Sequence, residues 1–367
     1  MIVAGGGPAG SAASCLLALA GRRVTLIERD AGPRDKICGE FLSHEASRTL
    51  APLDIDPARL GASAIERVRL IGRGGTAETA LGFTANGLSR RRLDEALLLR
   101  AVECGVTLHR GVAVEQVRAE ASGLLAVRTA TGERRCATLL LATGKHDLRG
   151  IRRRLRRPPA ELVGFKTYFD LAPSQRAAVE GHVEVILLRG GYAGLQLVEG
   201  GRANLCLLVP RERVPASGWD GLLRELVDES PHLRRRLDGA QALLERPVSI
   251  FRVPYGFVHR AAAGDPAGLF RLGDQMAVIP SFCGDGMAMA LHTAAAAAAH
   301  VRDGRSAGAF HHRMARDLGG QVRLASLAQR VGGFAAGQAA MLAVARHWPS
   351  ALAMMAAHTR VLRQATS

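Results

Sequence analysis

The residues best placed to do chemistry stand at the N-terminus. Gly5-Gly6-Gly7-Pro8-Ala9-Gly10 forms a G-x-G-x-x-G between an apolar strand that begins at Met1 and an alanine-rich helix. In such a turn the first glycine permits the bend, the second lets the backbone approach a diphosphate, and the third lets helix pack on strand. The helix N-terminus adds free N–H groups and the positive end of its dipole. Glu28 closes the next strand at close to the ~20-residue spacing expected of the acid that accepts from a ribose 2′-OH and repels a 2′-phosphate. Together they predict binding of the adenosine of FAD or NAD, not of NADP.

Three further segments carry candidate chemistry: Arg271-Leu272-Gly273-Asp274, followed by Pro280 and by Gly284-Asp285-Gly286-Met287 at the start of a long helix; Leu88-Ser89-Arg90-Arg91-Arg92-Leu93-Asp94; and Lys36-Ile37-Cys38-Gly39-Glu40. At these residues the chain resembles the superfamily of geranylgeranyl reductases, aromatic-hydroxylase-type flavin monooxygenases and flavin-dependent halogenases. The resemblance covers Met1 to Gly150 and Leu269 to about His300. It implies FAD, with Asp274 on the ribityl chain, the Gly284–Met287 helix start at the flavin pyrimidine, and Arg90 beside the phosphates. A helix dipole at that edge favours negative charge on reduced flavin. Gly5, Gly7, Pro8, Ala9, Gly10, Glu28, Arg29, Arg90, Val114, Gly273, Asp274, Pro280, Gly284, Gly286 and Met287 are the expected cofactor-binding residues. Cys38, Gly39 and Tyr192 are the candidates at the flavin edge or on the substrate side.

The departures matter as much. Thr143-Gly144-Lys145 stands where hydroxylases carry the Asp-Gly that helps bind FAD and NADPH, so a hydroxylase-style NADPH site is not expected, although NAD(P)H or another reductant must supply electrons. Trp219 and Trp348 are the only tryptophans and neither stands in the halogenase tryptophan motif, which argues against halogenation. Gly191-Tyr192-Ala193-Gly194-Leu195 replaces the aromatic segment of the reductases, so an isoprenoid substrate does not follow from the resemblance. Lys145 and His146 read as a polar loop capping a strand, and Met341, Met354 and Met355 as core. Oxygenation, as hydroxylation or epoxidation, or dehydrogenation of an apolar organic or polyketide-like substrate is the first expectation, double-bond reduction of a prenyl or polyketide-like chain the second, and a non-catalytic flavin protein docking through Arg152–Arg157 the third.

The positioning elements follow from periodicity. Met1–Ala4, a turn Gly5–Gly10, a helix Ser11–Ala20 and a strand Val24–Ile27 make a βαβ unit. Strands are expected at Ile65–Gly82, Val106–Leu108, Val112–Val117, Leu124–Thr129 and Ala137–Ala142, with a helix at Arg91–Cys104. From Leu162 the pattern becomes β-branched and aromatic runs between glycine pairs: Val163–Asp170, Val183–Leu188, Gly194–Val198, Ala203–Val209 and Val248–Val253, interrupted by a helix at Leu222–Leu237. The fold class is α/β: a two-dinucleotide-binding, Rossmann-like FAD fold of the glutathione-reductase type with an inserted antiparallel-sheet substrate domain and C-terminal helices. The expected division is 1–160 for the first part of the FAD domain, with a small strand excursion at 61–85, then 161–263 for the substrate domain, 264–300 for the rest of the FAD domain and 301–367 for the helical end.

Composition sets the outer limits. The chain has 367 residues, 48% hydrophobic, and a net charge of +16 with arginine spread throughout, densest at Arg152, Arg153, Arg154, Arg156 and Arg157. That spread reads as an arginine-rich background, and no nucleic-acid partner is expected. Six cysteines without C-x-x-C or metal-ligand spacing indicate a reduced, cytoplasmic protein with no metal centre. No signal peptide and no transmembrane segment is expected, which leaves peripheral membrane contact open to a protein whose substrate is a small apolar molecule, carrier- or lipid-linked or free.

Overall fold

The computed structural model describes residues 1–348. Its first layer is a five-stranded parallel sheet in the order Leu269–Arg271, Leu139–Leu141, Ile2–Ala4, Thr25–Glu28, Thr107–Arg110. Apart from the partly exposed edge strand Thr107–Arg110, these strands are short and largely buried because both faces are covered, as parallel sheets require. Helices Pro8–Leu19, Arg90–Glu103 and Gly286–Arg302 share one core with it. A three-stranded antiparallel sheet, Val114–Ala119, Leu125–Thr129 and Gly132–Cys136, packs into a second core with Ile2, Ile27 and Leu141.

The second layer is a nine-stranded sheet. Eight strands run in the order Gln241–Ala242, Leu162–Asp170, Ala203–Pro210, Gly191–Leu197, Gly181–Leu188, Ser63–Gly72, Gly75–Gly87, Phe41–Leu42, and Val248–Phe251 pairs with the Leu162 strand. The strands expected as an excursion at 61–85 are thus part of this sheet. They join it through a parallel pairing of Ser63–Gly72 with Gly181–Leu188, so the sheet is not wholly antiparallel. Period-two alternation sorts its residues. Ile186, Leu188, Leu195, Leu205 and Leu207 face a core shared with helices Gly218–Glu229 and Pro231–Leu237, while Val183, Val185, Leu187, Cys206 and Leu208 face a cavity.

The differences from the sequence reading have local causes. The first helix starts at Pro8, not Ser11, because proline at the first helical position has its φ pre-set and loses no needed N–H. The helix expected at Leu222–Leu237 starts at Gly218 and breaks at Ser230-Pro231, where the Ser230 hydroxyl caps a new helix by accepting from Leu233 N at 3.2 Å. The strand expected from Gly194 begins at Gly191 and so includes Tyr192. Helices His44–Leu50 and Pro173–Val179 and strand Gly132–Cys136 were too short or too polar to announce themselves. Among the described residues the C-terminal region forms the helices Gly286–Arg302, Ala307–Gly332 and Ala335–His347; Met341 lines the cavity, and Met354 and Met355 lie outside the described residues.

Candidate cofactor and substrate site

The glycine turn is held by contacts that leave no room for side chains. Gly5 has φ +105°, and a Cβ there would lie 2.4 Å from the Ala142 carbonyl oxygen; one on Gly10 would lie 1.8 Å from that of Gly5. Glu28 is buried at the strand end and both its oxygens already accept from backbone amides, Gly6 N at 2.5 Å and Asp30 N at 2.9 Å. It therefore shapes the turn, and its remaining lone pairs can still take a ribose hydroxyl. The first-turn amides of Ala9 and Gly10 have no acceptor within the helix. A Cβ on Gly7 would meet Arg90 Nη2 at 3.3 Å, so a guanidinium flanks the approach to that helix end.

Arg90 is oriented by a two-pronged pairing with Asp94, at 2.8 Å for each bond, and Lys36 reaches the same carboxylate at 3.1 Å. Burial opposes the Arg90 charge, but Asp94, by its charge and its hydrogen bonds, and beyond it Asp274 more than offset it and hold the guanidinium protonated. Gly273, at φ +54°, lies against the first helix, a Cβ there meeting the Ala9 methyl at 3.3 Å, and its N–H donates to Thr293 Oγ1. The two separate glycine motifs thereby meet. Asp274 follows, its backbone oxygen fixed by Arg153 at 3.1 Å, while Gln275 Nε2 donates to the carbonyls of Gly144 and His146. Arg153 is buried and also bonds Asp147 and the Lys145 carbonyl, so this member of the arginine cluster is a strut between loops; Arg152, Arg154, Arg156 and Arg157 are exposed.

Cramped glycines, an amide-rich helix end, a fixed guanidinium and two carboxylates in this order fit a dinucleotide. The Gly284–Met287 turn, with Gly284 at φ +74° packed on Phe41, starts the Gly286–Arg302 helix, with Pro280 just before it and Met287 buried behind it. Two expected residues stand apart. Arg29 is exposed and meets His146 Nε2 at 3.0 Å, and Val114 lies in the strand pair packed under Ile27 and Leu141.

Between the nine-stranded sheet and the Ser281–Gly284 turn lies a cavity of about 860 Å³, walled by Val68, Leu70, Val183, Val185, Leu187 and Leu208 among others. Gly39 and Tyr192 line it, and Cys38 sits one residue further back, where its Sγ accepts from Glu40 N at 3.3 Å. Its polar end was not foreseen: Tyr192 Oη lies 2.6 Å and Tyr255 Oη 3.0 Å from Ser281 Oγ, a chain of three hydroxyls. Burial raises both phenols; at Tyr255 the nearby Lys145 ammonium pulls the other way without cancelling it, so both stay protonated donors. The Lys145 ammonium itself is disfavoured by burial but stabilised beyond that by the Asp274 carboxylate. Lys145 thus sits at the junction of the two motifs, not merely on a capping loop; His146, lowered by burial and by Arg29, is the partner that reads as a loop residue.

Sequence reasoning also missed the clamp beneath Cys38. Lys166 and Tyr168, two apart on one face of their strand, are fully buried with Glu40, which has φ +61°. Lys166 Nζ donates to Glu40 and to the Lys36 carbonyl, Tyr168 Oη bonds the Glu40 carboxylate at 2.9 Å, and Asn204 Nδ2 donates to the Gly39 carbonyl at 2.8 Å. Glu40 in turn accepts from Arg90 N at 2.7 Å. Burial pushes the Glu40 carboxyl up, with Lys166 pulling against it. The clamp ties the sheet to the Cys38 loop and to the Arg90 helix at once. A lysine inside Leu162–Asp170, an otherwise apolar and aromatic strand, was the available signal.

No family model matches the chain. Among curated proteins it is similar to a menaquinone reductase of Mycobacterium tuberculosis, 28% identical over 312 residues that span 81% of this chain and 75% of that one. It is also similar to a tryptophan 2-halogenase of Chondromyces crocatus, 27% identical across 82% of this chain and 60% of that protein. Among solved structures, a flavin-dependent brominase superposes with a TM-score of 0.78 at 18% identity, covering 97% of this chain and 92% of its own. A flavoprotein/dehydrogenase from Cytophaga hutchinsonii does so with 0.73 at 15%, covering 89% and 85%.

Proposed function

Starting from a chain that is an FAD-dependent oxidoreductase of the geranylgeranyl reductase and aromatic-hydroxylase-type superfamily, we propose that it reduces a carbon–carbon double bond in a long apolar substrate of isoprenoid type. The observation that carries this reading is the polar end of the cavity. An apolar hole of about 860 Å³ terminates at the Tyr192–Ser281–Tyr255 hydroxyl chain, beside the Gly284–Met287 turn. Saturating a double bond takes a hydride and a proton. FAD, when bound and reduced by NAD(P)H or another reductant, supplies the hydride. The proton has to come from the protein, and Tyr192 or Tyr255 Oη is a protonated donor on the wall, with Ser281 linking the two and Lys145 next to Tyr255.

In this reading the Ala9 and Gly10 amides and Arg90 bind the diphosphate, Glu28 the adenosine ribose and Asp274 the ribityl chain. The clamp on Glu40 keeps the Cys38–Gly39 strip against the cavity, and the apolar walls exclude water. The breadth of the match to the menaquinone reductases supports the same order, with reduction ahead of the oxygenation that the sequence placed first. The experiment is anaerobic turnover of the FAD-loaded enzyme with a prenylated quinone, run in parallel under labelled oxygen. Product whose prenyl chain is heavier by two hydrogens after the ring has been reoxidised to the quinone supports double-bond reduction, gain on the ring alone makes the enzyme a quinone reductase, and label in the product makes it a monooxygenase. Replacing Tyr255 by Phe is expected to lower the reductive rate by about 10²-fold while leaving FAD reduction unchanged.

A further inference from the structure

The cavity has its mouth at the C-terminal end of the Ala307–Gly332 helix, where Arg323, Leu327, Arg330 and Gly333 line it and are exposed at the same time. The surface around that mouth is apolar. Leu327 is 51% exposed, Leu324 41% and Phe334 55%. The next helix, Ala335–His347, buries Leu342 and Ala345 against the Ser63–Gly87 hairpin and turns Ala336, Ala340, Ala343 and Val344 outward, so its outer face carries no charge before Arg346.

The charge here has one sign. Between Ala307 and Trp348 the only acidic residue is Asp317, whose side chain is nearly buried and lies 3.6 Å from Arg313 and 3.7 Å from His292. Arg316, Arg323 and Arg330 have no carboxylate partner among the described residues; Arg323 Nε donates only to the Gly319 carbonyl. Exposed leucine and phenylalanine flanked by unpaired arginines, with no acid among them, is the composition of an interfacial helix that meets an anionic membrane.

We propose that this face docks on an anionic lipid bilayer, with Leu324, Leu327 and Phe334 among the acyl chains and Arg323 and Arg330 on headgroup phosphates. The mouth then opens into the leaflet, and an apolar substrate enters without crossing water. A second copy of this chain would bring the same positive sign to the contact, and residues 349–367 contain no Asp or Glu that could neutralise it. The proposal rests on the mouth and its surface, not on the reaction, and holds for a reductase or an oxygenase alike.

The test is flotation of the FAD-loaded protein with phosphatidylcholine vesicles, with and without phosphatidylglycerol. Binding is expected only with phosphatidylglycerol and is expected to weaken as salt rises. Each arginine at an anionic surface strengthens partition roughly fivefold, so reversing both in R323E/R330E should weaken it more than tenfold. L324E/F334E, whose residues are outside the cavity wall, should abolish flotation while FAD retention and the circular dichroism spectrum stay those of the parent. Failure to float with anionic vesicles, or flotation that both variants leave intact, would overturn the proposal. So would a sedimentation dimer that L324E/F334E converts to monomer, because the face would then be an interface between two copies.

Discussion

At the glycine turn the groups that meet are backbone: the Gly10 Cα lies against the Gly5 carbonyl, and the Gly6 amide lies on Glu28. On the inner face of the nine-stranded sheet they are side chains from distant segments: Lys166 and Tyr168 close on Glu40, across some 126 residues of chain. The first arrangement depends on what is missing, since any Cβ at Gly10 collides. The second depends on what is present and balanced, since each member satisfies another. A site fixed by backbone sterics tolerates no addition, and one fixed by a buried polar cluster tolerates no single deletion.

Gly10→Val should break the first arrangement outright. Its Cβ would start 1.8 Å from a backbone oxygen with no flexible side chain to yield, so the helix has to leave the sheet. The expected loss exceeds about 4 kcal/mol, with no FAD retained; the measurement is chemical denaturation with flavin absorbance. Retained yellow colour at parental stability would mean the turn is looser than these contacts require.

Lys166→Met should break the second arrangement by about 3 to 5 kcal/mol, because Glu40 stays buried without its cation. Adding Glu40→Gln should restore part of the loss, since an amide needs no counter-charge. No recovery in the double variant would show that Lys166 acts through the Lys36 carbonyl rather than through Glu40.

Glu184→Gln probes a second buried polar cluster in the same sheet. Burial alone would raise Glu184, but bonds from His232 and Arg236, and their charges, bring it down to about 2. The expected cost is about 3 kcal/mol, at the low end for a broken buried pair, because Arg236 keeps Gln175 and Arg69 keeps Glu78. Thermal denaturation at neutral pH measures it.

This contrast also explains what the sequence made legible. A backbone-built site is written locally, so Gly5–Gly10, Glu28, Gly273-Asp274 and Gly284–Met287 could be singled out as candidates, and the parallel sheet and FAD could be read from them. The substrate half is built by register: Lys166 stands opposite Cys206, and Tyr168 opposite Asn204. Nothing in a strand's own residues says which distant loop its side chains will meet. Glu40 was read only as the end of the Cys38 segment, and Tyr255 and Ser281, on loops before and after the Leu269 strand, carry no periodicity at all. The parallel join at Ser63–Gly72 was hidden for the same reason, since alternation tells which face a residue takes but not which strand lies beside it.

The smallest expected effect lies where the two halves differ least, at the Arg271 strand end, where backbone and side-chain control combine. His311 Nε2 accepts from the Arg271 amide at 3.1 Å, and the ring of His259 stands 4.5 Å away, with its Nε2 3.2 Å from Asp265. Burial depresses both rings, to about 4 for His259, where the Arg271 charge adds to it, and to about 3 for His311, where the His259 ring and then Arg271 add to it. They are neutral packing groups at neutral pH. A histidine whose folded pKa lies below its unfolded value near 6.5 binds its proton more readily when the chain is unfolded. Its contribution is therefore present above pH 6.5 and is lost as pH falls through that value toward 4. Glu184 does not protonate in this range, so the histidines set the upper edge of acid unfolding. Between pH 7 and pH 5 a single ring accounts for up to about 2 kcal/mol by linkage. His311→Gln keeps an acceptor for the Arg271 amide but cannot take a proton, so its stability should fall less steeply over that interval than the parent's. Denaturant titrations at pH 7, 6 and 5 measure the two slopes; parallel slopes would mean that His311 is already protonated in the folded protein and that its ring is not the acceptor for Arg271.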